Sequence, residues 1–268
     1  MLKIGKDVKI HPTAEIKIEN GYIGDYSVIR ANAVIRGRDV RIGREAMICE
    51  HAVIGGGSCD DPTSYLETGD FFHLGRNAFL NQGYGVKIGH EVGLGIETKI
   101  YTHGAYTSAW EGFPSAWGPI SIGDRVWIPC AQVNPNVNIG NDVVILAMSL
   151  VNKDLPSGCL AGGIPCKIIK ENAYPRKLTK VEKSELFKKI FDSALTIHAG
   201  RHPEAKNEKI EFKAIDEDTF ATHGATFDIK NRKIEGKATA FSELLRNQLR
   251  RNGIRFRYRA EGDSYAPW

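Results

Sequence analysis

No run of apolar residues in this 268-residue chain approaches the roughly 20 needed to cross a bilayer as a helix, so no membrane span is expected. Nor does a basic, apolar leader of the secretory type open it. Cysteine is scarce. Its five copies, at 49, 59, 130, 159 and 166, never pair as Cys-x-x-Cys. Neither a disulfide framework nor a thiolate zinc site is therefore expected, and reduced thiols predict a cytoplasmic protein. A dominant charge is missing as well: 36 Lys+Arg against 32 Asp+Glu leave only +4. That is too mild for a nucleic-acid footprint. The excess is uneven: residues 171–268 hold 20 basic and 15 acidic residues, net +5, which leaves 16 and 17, net −1, for residues 1–170. The run Arg246, Arg250, Arg251, Arg255, Arg257 and Arg259 reads as a solvated helix and strand face. Gly55-Gly56-Gly57-Ser58 is followed by no Gly-Lys-Ser/Thr, which discounts a phosphate loop.

What is present is a beat of six. Ile23, Ile29 and Ile35 are followed, one residue late, by Ile42, Ile48 and Ile54. It resumes at Leu74 and Leu80, at Ile88, Leu94 and Ile100, at Ile122 and Ile128, and at Ile139, Ile145 and Val151. A small or β-branched residue often follows four places on, as at Ser27, Ala33, Ala46, Ala52, Ser58, Ala78 and Val143. Glycine often follows the aliphatic residue directly, as at Gly24, Gly43, Gly75 and Gly89, which suggests corners with positive φ. Such a period is neither that of a helix nor that of a strand. It predicts a solenoid whose coils each spend about eighteen residues on three sides of a triangular prism. About seven coils fit between Ile4 and Leu155. Residues 55–73 and 103–121 break the beat and read as loops thrown out at corners, where binding residues tend to sit.

The beat ends after Val151, and residues 171–268 form a second region. Residues 179–198 predict an amphipathic helix with Leu186, Phe187, Ile190, Phe191 and Leu195 on one face and Thr179 as N-cap. Residues 209–215 and 225–236 predict strands, the latter a hairpin through Lys230-Asn231. Residues 242–252 predict a helix and 254–259 a strand. This small α+β region resembles no known family; covering the open solenoid end, binding an acceptor and assembly are its candidate roles.

Residues 74–170 carry more specific signals: a histidine opening the inserted loop, Ile-Gly-Asp-x-Val-Trp-Ile at 122–128, Val-x-Lys-Asp-Leu-Pro-Ser-Gly at 151–158, and Ala-Gly-Gly-Ile-Pro-Cys-Lys-Ile-Ile at 161–169. In these the chain resembles the hexapeptide-repeat acyltransferases that O-acetylate sugars and xenobiotics, such as the galactoside, maltose and capsule or lipopolysaccharide O-acetyltransferases. The resemblance implies a mainly β fold, a left-handed parallel β-helix over residues 1–170 with the α+β appendage at 171–268. It implies acetyl-CoA as co-substrate, no metal, a cytoplasmic homotrimer, and a small-molecule or oligosaccharide acceptor, in keeping with polysaccharide biosynthesis. By the same resemblance His103 is the general base, acting by direct transfer while a backbone N–H steadies the oxyanion. Glu111 and Glu97 are the candidates to orient its ring.

Trp127 matches the tryptophan beside the pantetheine arm, and Lys153 and Lys167 the basic residues near the CoA phosphates. Cys130 and Ala147 fall where backbone groups bind the pantetheine amides. Asn81 and Tyr84 are expected on the acceptor by position, and Tyr106, Trp110 and Trp117 as a stacking platform for a sugar ring. The chain departs from the pattern at Leu146-Ala147-Met148-Ser149, at Asn136-Val137, at Asn152 and at Gly83, so acceptor identity does not carry over. Other readings are N-acetylation of a nucleotide-linked amino sugar, a non-catalytic scaffold, and a γ-carbonic-anhydrase-like helix, towards which Gly89-His90 leans. Gly95 stands where that last reading needs a second histidine.

Overall fold

The computed structural model describes residues 1–203 and 209–268, which divide into two compact units, Met1–Arg176 and Lys177–Trp268. The first unit is a parallel β-helix, and its ladders run through the beat residues. On the first face Ile4 pairs with Ile23 and Ile23 with Ile42. Further up, Thr68 pairs with Ile88, Ile88 with Ile122, Ile122 with Ile139, and Ile139 with Leu155. The second face stacks Ile10, Ile29, Ile48, Leu74, Leu94 and Ile128 in register. The third stacks Ile16, Ile35, Ile54, Leu80, Ile100, Val133 and Val151, which makes seven complete coils. Apart from Thr68, each rung sets an aliphatic side chain directly on its counterpart, so one continuous column of buried residues fills the prism. The small residues four places on share the interior: Ala33, Ala46, Ala52, Ala78 and Val143 are all buried. Ser58 is the exception, because it lies in a loop.

Two expectations change. The first break is shorter than the sequence suggested. Tyr65–Thr68 is a strand, paired through Val40↔Leu66 and Leu66↔Val86. Thr68 lies six residues before Leu74 and fills an aliphatic place, so only residues 55–64 leave the coil.

The corner glycines are also needed for a different reason. Gly24, Gly43, Gly75 and Gly89 are absent from the positive-φ residues, whereas Tyr26, Glu45, Asn77 and Glu91, two places on, have φ between 53° and 62°. A Cβ on Gly24 would lie 2.4 Å from the carbonyl carbon of Gly43, and one on Gly43 2.3 Å from Gly69 O. Coil-to-coil approach, not backbone strain, excludes a side chain there.

The corner after the first face is tied by a ladder of side chains that accept backbone N–H groups of the coil below. Lys6 N donates to Asp25 Oδ1 (2.7 Å), Arg44 N to Asp70 Oδ1 (3.0 Å) and Asp70 N to His90 Nδ1 (3.0 Å). His90 N donates in turn to Asp124 Oδ1 (2.7 Å), Asp124 N to Asn141 Oδ1 (2.7 Å) and Asn141 N to Ser157 Oγ (2.9 Å). Corner N–H groups have no strand partner, and the ladder satisfies them. His90 belongs to this ladder, which accounts for the Gly-His pair.

The second unit is α+β. Helix α1 (Lys180–Arg201) starts at Thr179 in a reciprocal capping box with Glu182. Phe187, Phe191, Phe220, Phe227, Phe241 and Phe256 form its core with helix α2 (Ala240–Arg251), and Phe187 stacks on Phe220 at 3.8 Å between ring centroids. Its sheet is a meander of Phe212–Ala214, Thr219–Thr222, Ala225–Asp228 and Lys233–Gly236. The hairpin at 225–236 is present. The expected strand at 254–259 instead begins at Tyr258, because Ile254 N closes onto Leu249 O (2.9 Å) at the helix end. Arg246 of the basic run is buried against Glu243 rather than solvated.

Candidate active site

Both breaks in the beat leave the prism at the corner after the third face, and the chain between them, residues 81–85, turns at the same corner. Each coil contributes one layer. The second loop is pinched by a short antiparallel pair, His103–Gly104 with Ala116–Trp117, in which His103 stands opposite Trp117. Their rings stack at 5.4 Å and 8°. Tyr84 comes from the corner below and lies 5.3 Å from Trp117 and 6.0 Å from His103 between centroids. Asn136, from the coil above, donates from Nδ2 to Trp117 O (2.8 Å). His103 Nδ1 is buried with no hydrogen-bond partner, so neither Glu97 nor Glu111 orients the ring through it. Aromatic packing holds the imidazole where a carboxylate was expected.

Asn81 corrects an expectation. It is 2% exposed, and its amide is fully used. Nδ2 donates to Gly55 O (3.3 Å) and Gly57 O (2.8 Å), while Oδ1 accepts from Gly83 N (3.2 Å) and Thr102 Oγ1 (2.5 Å). No polar atom is left for an acceptor; Asn81 instead ties the first loop to Thr102, the residue before His103. Tyr106 and Trp110 also depart from expectation. At 102% and 99% exposure they stand at the loop tip and share no platform with Trp117.

The residues matched to the acyl donor lie elsewhere on the prism. Trp127 projects outward from the second face, 45% exposed, with its indole across Gly93, where a Cβ would meet it at 2.6 Å. Cys130 lies at the corner after that face, its Sγ 3.9 Å from Met148 Sδ. Ala147 is exposed at the equivalent corner one coil on. Lys153 and Lys167 are exposed and carry no ion pair among the described residues, Lys167 on a strand that turns back antiparallel on residues 160–162. Two contributors escaped sequence reasoning: Gly57, which abuts the imidazole, and Trp117 as its support rather than as part of a sugar platform. The only sequence signal for either was its place beside a break.

The site is thus one histidine set among aromatic rings where two inserted loops of a β-helix meet. The chain is 33% identical over 138 residues to the galactoside O-acetyltransferase of Escherichia coli (strain K12), a match that covers 48% of this chain and 68% of that protein. No protein-family model matches it. Among solved structures it is similar to a hexapeptide-repeat acetyltransferase from Vibrio cholerae complexed with acetyl coenzyme A, at 26% identity and TM-score 0.40 over 57% of this chain and 72% of that one. It is also similar to a galactoside acetyltransferase in complex with coenzyme A, at 25% identity and TM-score 0.38 over 48% of this chain and 72% of that one. On the galactoside relative, of which it spans two thirds, the chain belongs to the hexapeptide-repeat acetyltransferases, acetyl-CoA-dependent enzymes.

Proposed function

We propose that this enzyme transfers the acetyl group of acetyl-CoA to a hydroxyl or amine of a sugar-containing acceptor, with His103 as general base. The observation that carries this reading is the convergence of both inserted loops on the His103 ring. His103 takes the proton of the acceptor's nucleophile as it attacks the thioester carbonyl. The tetrahedral intermediate then expels the CoA thiolate, which takes up that proton. No acyl-enzyme is required. Stacking on Trp117 fixes the ring plane, and the indole face stabilises the imidazolium that forms during attack. Trp127 supports the pantetheine arm, the backbone at Cys130 and Ala147 binds its amides, and Lys153 and Lys167 meet the phosphates.

The working form is a cytoplasmic homotrimer. Trp127 on the second face and His103 beyond the third lie on different sides of one prism, so a site that uses both is assembled between copies. The exposed aromatic tip of the second loop suits coverage of a neighbour's groove. Among the described residues no helix is long and apolar enough to cross a membrane.

The test is His103→Ala. It lowers turnover by roughly 10²–10⁴ with acetyl-CoA affinity and trimer mass retained. Full turnover in that variant removes His103 from the mechanism.

A further inference from the structure

The first inserted loop meets His103 at a glycine. A Cβ on Gly57 would lie 3.3 Å from His103 Nε2 and 3.6 Å from Cε1. Gly57 is not in the left-handed region, so its backbone would accept alanine; the imidazole alone reserves the position for glycine. The loop has no room to retreat. Asn81 Nδ2 holds Gly57 O at 2.8 Å, and Gly83 packs so closely that a Cβ there would lie 2.9 Å from Ser58 Cβ and 3.0 Å from Gly57 O. Because His103 Nδ1 is buried, Nε2 is the nitrogen that meets substrate.

We infer that Gly57 is a specificity-determining residue: the space it leaves before Nε2 admits the acceptor's reacting hydroxyl or amine, and residues 55–64 form the acceptor wall. This deepens the reading of His103 as general base and rests on it. Charge narrows the acceptor class. Residues 55–64 carry Asp60 and Asp61, both exposed, and residues 103–118 carry Glu111; neither loop has a lysine or arginine. Two arginines adjoin the first loop, but Arg36 is engaged by Glu15 at 2.6 Å and Arg38 by Asp39 at 3.7 Å. Loops that carry carboxylates and no lysine or arginine of their own repel a diphosphate. The acceptor is therefore a neutral or amine-bearing saccharide rather than a nucleotide-linked one.

The test measures CoA release from acetyl-CoA with methyl β-galactoside, glucosamine and UDP-glucosamine, for the wild type, Gly57→Ala, the Asp60→Asn/Asp61→Asn pair and His103→Ala. In the wild type the two acceptors without phosphate exceed UDP-glucosamine in kcat/KM. Gly57→Ala lowers kcat/KM for the better acceptor by about ten-fold or more, the cost of a misplaced methyl group, while KM for acetyl-CoA stays the same. The paired asparagine variant raises the use of UDP-glucosamine relative to methyl β-galactoside. Unchanged kcat/KM in Gly57→Ala overturns the gate. UDP-glucosamine as the best wild-type acceptor, or an unmoved ratio in the paired variant, overturns the acceptor class, as does CoA release with none of the three. Full activity in His103→Ala overturns the general-base reading instead, so the two failures are told apart.

Discussion

Two corners of the same prism use the same residue types to opposite ends. At the corner after the first face, His90 accepts a backbone N–H through Nδ1 and passes its own N–H to Asp124. At the corner after the third face, His103 forms no hydrogen bond through Nδ1 and is gripped by Trp117 and Tyr84. The first histidine is one rung of a ladder that also uses aspartate, asparagine and serine, so its ring does what any short acceptor does there. The second sits at a different corner, which the ladder does not reach and from which two loops leave. The ring of His90 serves the backbone through Nδ1, whereas His103 is placed by rings beside an inserted loop and serves no backbone group through Nδ1.

Paired substitutions test this contrast. The largest expected effect is the loss of roughly 10²–10⁴ in turnover for His103→Ala, while His90→Ala stays within a few-fold in turnover and loses about 1 kcal/mol of stability for one missing hydrogen bond. Equal losses of turnover in steady-state assays would erase the distinction. Next, Ile128→Ala, in the fully buried column, costs about 2–5 kcal/mol in urea unfolding, the usual range for such a truncation. Asn81→Ala leaves Gly57 O without its side-chain donor and the Thr102 hydroxyl without its acceptor, and costs about 1–3 kcal/mol. It also lowers kcat, because the first loop is no longer held to the residue before His103; an unaltered kcat would show that the brace does not serve the site. Trp117→Ala lowers kcat by about ten-fold with KM for acetyl-CoA unmoved, Trp117→Phe recovers most of it, and in the His103→Ala background the substitution has no further effect. The smallest effect is Thr179→Ala, which removes the α1 capping box for about 1 kcal/mol in the second unit and leaves turnover untouched, as read by thermal unfolding and CoA release.

The sequence was easiest to read where local rules repeat. A column of isoleucine every six residues has one efficient burial, so ladder register and core follow from spacing. Thr179 with Glu182 announced the start of α1 just as plainly. It was hardest to read where one residue replaces another within a rule. Thr68 occupies an aliphatic place, which hid the strand Tyr65–Thr68 inside an apparent loop. The glycine after each beat looked like a torsional requirement and proved to be a matter of clearance between coils. Asn81 looked like an acceptor ligand because asparagine beside a break is polar and well placed, yet its burial turns all of its hydrogen bonds inward.

The chain's own order of residues thus determined the prism, its core, the family it belongs to, and the histidine at the second break. Only the tertiary structure decided what surrounds that histidine. Gly57, Asn81, Tyr84, Trp117 and Asn136 are spread over 80 positions of sequence and come together because successive coils return to one corner about every twenty residues or more. A periodic core is encoded locally, since each hexapeptide repeats the same instruction. A site made by stacking different coils at one corner is not, because its contacts are set by which loops leave there and how closely the backbones beneath them pack.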